Sequence, residues 1–188
     1  MIISIAVTNN EDPKPDPQPY ALTIDVAALE DAIANTNIGA GTISEPIRID
    51  SFISSYQNKL PEIGHSTTIK ARFEPKDLDS DPRNPLICCK VRNMGKSQSH
   101  PVDWSTVFDC DPELTYSAPD GTLYINPDKR NMSDVSCHIT TLPDKKGAKD
   151  DVYISYSILF CSRVGGREYY FNFDPLAKIS SNPPSSLK

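Results

Sequence analysis

Three sets of side chains in this sequence have the types and spacing to suggest chemistry. Asp77-Leu78-Asp79-Ser80-Asp81 puts a carboxylate at every second position, the spacing with which an EF-hand calcium loop begins. The pattern then fails where its geometry is most demanding. Pro82 stands where the turn needs glycine, and Cys88 stands where a bidentate glutamate belongs. We expect a solvated acidic loop, with a looser calcium site on Asp77, Asp79 and Asp81 as the alternative. Cys137-His138 sets a nucleophile beside a base, but neighbours on a strand point to opposite faces. Cys137 is therefore expected in the core with Val135 and Ile139, and His138 on the outside. A core position lacks the accessible, electropositive setting that a thiolate needs. Trp104, the single tryptophan, lies in the polar stretch His100 to Phe108. It is the ligand-binding candidate, since an indole beside polar groups can stack on a sugar ring. The favoured expectation is a core residue with its N–H tied to a partner.

Nothing else in the chain has the spacing of a catalytic or cofactor motif. His65, His100 and His138 have no ligand-like spacing, and neither a nucleophile elbow nor a phosphate-binding glycine loop occurs. Asn131-Met132-Ser133 is a formal glycosylation sequon, read here as a chance match in a turn. We name no catalytic residue and no cofactor, and expect a non-enzymatic protein.

The elements that would carry these residues are mostly strands. The clearest is a hairpin from Asp151 to Phe173. Val152, Ile154, Tyr156, Ile158 and Phe160 alternate on one arm, and Tyr169, Phe171 and Phe173 on the other, around Gly165-Gly166. A two-residue turn there pairs Phe160 with Phe171 and Ile158 with Phe173, and any even loop keeps both sets on one face. Single strands are expected at Ile3 to Thr8 (Ile3, Ile5 and Val7 against Ser4, Ala6 and Thr8), Tyr20 to Ile24, Thr68 to Phe73 (Ile69, Ala71 and Phe73 inward) and Leu86 to Arg92 (Ile87, Cys89 and Val91 inward). A broken strand with Pro46 inside it, hence an edge strand or a bulge, is expected over Ile43 to Phe52. Gly121 to Ile125 and Val135 to Leu142 read as a second hairpin across the loop Asn126 to Asp134. One helix stands out, Val26 to Ala34, capped by Asp25 and burying Val26, Leu29 and Ile33. Asp12 to Pro19 alternates proline and reads as stiff polyproline II. These elements describe a mainly β chain: a single-domain antiparallel β-sandwich with one short helix over residues 1–179, followed by a mobile polar tail over residues 180–188.

Composition bounds the partners. A net charge of −6 without a basic block argues against nucleic acid and against an anionic membrane surface. The apolar start, Met1 to Val7, has no basic segment and is too short for a secretion signal or a membrane span, so a cytoplasmic protein with reduced thiols is expected.

The stretch Val152-Tyr-Ile-Ser-Tyr-Ser-Ile-Leu-Phe-Cys161, its Gly-Gly turn, and Tyr169-Tyr-Phe-Asn-Phe-Asp-Pro-Leu-Ala-Lys-Ile-Ser180 resembles the closing hairpin of the bacterial AidA/PixA inclusion-body proteins. Those proteins share the aromatic strand after a glycine loop, the Asp-Pro pair (here Asp174-Pro175) and a final short strand. The resemblance covers about thirty residues. It implies a β-sandwich without a known catalytic site that accumulates in the bacterial cytoplasm, in some members as crystalline inclusions, often under quorum or stationary-phase control. The resulting expectation is a protein that accumulates and self-associates. The alternative is a carbohydrate-binding, lectin-like β-sandwich module using Trp104 and exposed tyrosines, with calcium at the Asp77–Asp81 loop.

Overall fold

The computed structural model describes residues 2–11, 20–35, 38–54, 63–73, 86–94, 102–143 and 152–179. The polyproline stretch Asp12 to Pro19, the acidic loop with Asp77, Asp79 and Asp81, His100 and the tail 180–188 lie outside them.

Two sheets face each other across one hydrophobic core, as the alternating strands predict. The first runs in the order β4 (Ile53–Ser54), β2 (Tyr20–Ile24), β1 (Ile2–Asn9), β5 (Thr67–Phe73), β10 (Cys137–Thr141) and β7 (Phe108–Asp109). The second runs β3 (Ile47–Arg48), β12 (Arg167–Phe173), β11 (Val152–Val164), β6 (Leu86–Asn93), β9 (Leu123–Ile125) and β8 (Thr115–Ser117), with β13 (Leu176–Ile179) also paired to β11. Ile3, Ile5, Ile69, Ala71 and Phe73 of the first sheet meet Ile154, Ile158, Phe160, Phe171 and Phe173 of the second in one buried cluster. Phe73 and Phe160 touch edge to face across the gap, with ring centroids 5.0 Å apart.

The long hairpin has the register its sequence implies. Phe160 lies opposite Phe171 and Ile158 opposite Phe173, and Val164 and Arg167 close a two-residue turn. Gly165 and Gly166 both have positive φ, +56° and +80°, as a type I′ turn requires. A Cβ on either would meet nothing within 4 Å, so backbone conformation alone selects glycine there. Gly41 is glycine for a second reason as well. An added Cβ would fall 2.5 Å from Cδ1 of Tyr169, and the Gly41 carbonyl accepts the Tyr170 N–H at 2.9 Å.

Helix α1 (Val26–Asn35) begins at the expected cap, with Asp25 Oδ1 accepting the Ala28 N–H at 3.0 Å. Leu29 is its fully buried residue; Val26 and Ile33 are half-buried.

Three expectations are corrected. First, Ile87 is half-buried and Leu86 takes the core position, because β6 carries a bulge: Leu159 pairs with Cys88 but Phe160 with Leu86. Second, β9 and β10 do not form a hairpin. One bridge, Asp128 to Ser136, is formed between their flanks, and then the strands part: β9 pairs with β6 and β8, β10 with β5 and β7. The loop between them therefore crosses from sheet to sheet, and ion pairs hold it down. Arg130 reaches Asp128 at 2.7 Å and Asp111 at 3.6 Å, while Lys70 reaches Asp134 at 2.5 Å. Hydrogen bonds from Arg130 pull the Asp128 carboxyl down to about 2. Third, residues 43–52 form no single strand. Ile47–Arg48 pairs in parallel with β12 of the second sheet. After a 3-10 turn at Asp50–Phe52, Ile53–Ser54 pairs with β2 of the first. Pro46 stands just before the first of these short strands, and both are edge strands of their sheets, as the proline implies.

The packing gives a direct test of the hairpin. Phe171 is completely buried and stacks on Phe160 at 5.3 Å between centroids. Phe171→Ala is expected to destabilise the fold by about 3–5 kcal/mol in urea unfolding; a loss below about 1 kcal/mol would contradict this core position.

Candidate functional site

The residues singled out by sequence do not come together. Trp104 opens a 3-10 turn (Trp104–Thr106) whose cap is Asp103, and it is 2% exposed. Its indole Nε1–H donates to the Gly121 carbonyl at 2.8 Å, and its ring lies 5.9 Å from that of Phe108. The tryptophan thus has the core role, with no open ring face for a sugar. Cys137 is buried with Val135 and Ile139 on the core face of its strand, while His138 is half-buried on the other. The five cysteines are thiols. Burial raises the pKa of Cys110 and of Cys137, and raises that of Cys88 to about 11, so these sulfurs carry protons at neutral pH. Among the described residues, no group of three or more His, Cys, Asp or Glu side chains has metal-binding geometry.

What the fold does assemble is the outer face of the second sheet. Residues alternate along each strand, so those paired across strands form rows. Tyr116 of β8 faces Tyr124 of β9, Tyr124 faces Lys90 of β6, and Lys90 faces Ser157 of β11. The tyrosine rings lie 6.3 Å apart at 41°, and Lys90 Nζ stands 5.5 Å from the centroid of Tyr124. Tyr116 is 58% exposed. Beside this row Arg92 is exposed, and the nearby Asp120 carboxyl is held below its usual range, first by hydrogen bonds from Thr122 and then by the Arg92 charge. Toward one end the face turns apolar. Met94, Tyr153 and Leu176 are 54%, 50% and 41% exposed, and the Met94 N–H donates to the Tyr153 carbonyl at 2.8 Å.

The row ends in a polar knot that sequence reading missed. Ser155 pairs with Leu176 and Ile158 with Phe173, so β12 and β13 hold one register along β11, and residues 174 and 175 neither add nor drop a position. Tyr156 N–H donates to the Pro175 carbonyl at 2.9 Å, but Pro175 has no N–H to return. Beside this gap in the ladder, Asp174 gathers two side-chain donors. Its Oδ1 accepts from the hydroxyl of Ser157 at 2.7 Å and from that of Ser155, both serines being buried. A signal was present: serines two apart on one strand, facing an Asp-Pro that interrupts the next.

Comparison with family models, with curated proteins and with solved structures finds no match.

The knot has a measurable weight. Asp174→Ala leaves two buried hydroxyls without their acceptor and should cost about 2–4 kcal/mol of stability, read from chemical unfolding. A variant within about 0.5 kcal/mol of the parent would assign the knot no structural role.

Proposed function

We propose that this chain is a non-catalytic β-sandwich that accumulates and self-associates, using the outer face of its second sheet. The observation that carries the reading is the group Met94, Tyr153 and Leu176. Tyr153 and Leu176 are large apolar side chains on the paired strands β11 and β13, Met94 follows the last residue of β6 and bonds Tyr153, and all three are exposed at one end of the outer face. Exposed apolar groups gathered in this way are what a protein surface normally avoids unless something covers it. A second copy of the same chain would bury them and remove apolar area from water on both sides. The resemblance of the Asp174-Pro175 hairpin to inclusion-body proteins supports the same reading. So do the protonated thiols, which carry none of the activation a cysteine nucleophile needs.

Static light scattering across a concentration series tests the proposal. The mean mass should rise with concentration. Leu176→Asp should weaken the association by about tenfold or more, since an interface would have to bury its charge. A mass that stays at one chain throughout the series would rule out self-association.

A second reading rests on a different observation, the tyrosine pair. Tyr116 and Tyr124, with Lys90 and Arg92 beside them, offer aromatic faces and hydrogen-bond donors on one exposed strip, the combination with which proteins hold a pyranose ring. On this reading a glycan array detects binding that Tyr116→Ala abolishes. An array on which the parent protein binds nothing would discard it.

A further inference from the structure

The centre of the sandwich holds three polar groups that lie apart from both surface strips. Cys89 of β6 and Cys137 of β10 belong to opposite sheets, and both are completely buried in the core. The Cys137 thiol donates to the carbonyl of Ile125 at 3.2 Å, and Ile125 is the register partner of Cys89. Cα atoms of β6 and β10, the strands that carry the two thiols, approach within 8 Å. Packed sheets usually stand about 10 Å apart, and a disulfide spans about 4.4–6.8 Å between Cα atoms. The two strands that carry the thiols thus come closer than packed sheets usually stand. The third group is the Tyr156 hydroxyl, buried with no hydrogen-bond partner among the described residues. Burial raises its pKa well above the usual phenol value, and Cys89 and Cys137 raise it further. Burial, then the neighbouring Cys89, does the same to the Cys137 thiol. In the folded state both sulfurs are sealed from solvent, so an oxidant reaches them when the sandwich opens or before it closes.

We propose that Cys89 and Cys137 form a latent inter-sheet disulfide, closed when the chain folds in the presence of a low-molecular-weight disulfide such as oxidised glutathione. One cysteine gives up its proton and attacks a glutathione sulfur, forming a mixed disulfide and expelling the first glutathione thiolate. The other cysteine, deprotonated in turn, attacks the protein sulfur of that bond and expels the second glutathione. The two protein thiols lose two electrons and two protons, and oxidised glutathione takes them up as two thiols. The new bond joins residues 48 positions apart (137 − 89) and ties one sheet to the other. Cys88 is a poor competitor for Cys137, because it pairs with Leu159 on the outer face of its sheet. Cys110 and Cys161 are half-buried, outside the fully buried pair.

The test refolds the unsubstituted chain from denaturant, once in reduced glutathione alone and once in a mixture of reduced and oxidised glutathione. Free thiols are then alkylated under denaturing conditions, and unreduced peptides are mapped by mass spectrometry. The mixture should yield two fewer alkylated cysteines, a linked peptide pair containing Cys89 and Cys137, and a melting temperature raised by about 10 °C. Cys137→Ala, checked for folding by circular dichroism, should lose the linked pair and the rise together. Full alkylation of all five cysteines after oxidative refolding would overturn the proposal. So would a bridge mapped to Cys88, Cys110 or Cys161. The peptide map of the unsubstituted chain decides between these outcomes even if the variant fails to fold.

Discussion

The single register that β12 and β13 share along β11 is the constraint on which the rest of the sandwich depends. The strand spans Val152 to Val164 and has a neighbour on each side: β6 on one, β12 and β13 on the other. Ile154, Tyr156, Ile158 and Phe160 all point into the core, and a slip of one position would turn every one of them outward. Phe160 is the hinge of that arrangement. It stacks on Phe171 within its own sheet and meets Phe73 of the opposite sheet edge to face. The two sheets are therefore aligned through one aromatic side chain, whose position is fixed by ladder hydrogen bonds on both sides.

The same strand decides what the outer face can present. Its outward residues Ser155, Ser157 and Leu159 are themselves buried, so exposed chemistry is displaced to the flanks of the sheet. On one flank lie the tyrosines and cations of β8, β9 and β6; at one end lie Met94, Tyr153 and Leu176. Polar groups in between are consumed internally. Asp174 spends its acceptor capacity on two serine hydroxyls, next to the position where Pro175 has no N–H to give the ladder. Buried polar groups need partners, and the two buried serine hydroxyls find theirs in this one carboxylate.

Much of the fold was legible in the sequence, and what was not has physical reasons. The hairpin register, the Asp25 cap and the core placement of Trp104 and Cys137 follow from rules that act over a few residues, and all are found. The bulge at Ile87 was hidden, since no glycine or proline marks it and an apolar residue stands on either side of the slip. The parting of β9 and β10 was hidden for another reason. Alternation says which side chains of a strand are buried, not which strand it will pair with. Ile139 and Cys137 suit β5 as well as they would suit β9, and the choice is made by the whole sandwich. The surface was least legible. Tyr116, Tyr124 and Lys90 are spread over 35 positions (124 − 90 + 1) and become neighbours only through strand register.

The segment Ile47 to Ser54 has a consequence for the order in which the chain folds. Within eight residues it supplies a short strand to each sheet, and Ile47 finds Phe171 at a separation of 124 positions (171 − 47). Closing so long a loop costs entropy before any contact repays it, and two-residue ladders repay little. The β11–β12 hairpin, closed by two glycines, has no such handicap. The segment is thus a late clasp. It has nowhere to bind until β12 has paired with β11 and β2 with β1, and its amides are among the first to open again when the native state breathes.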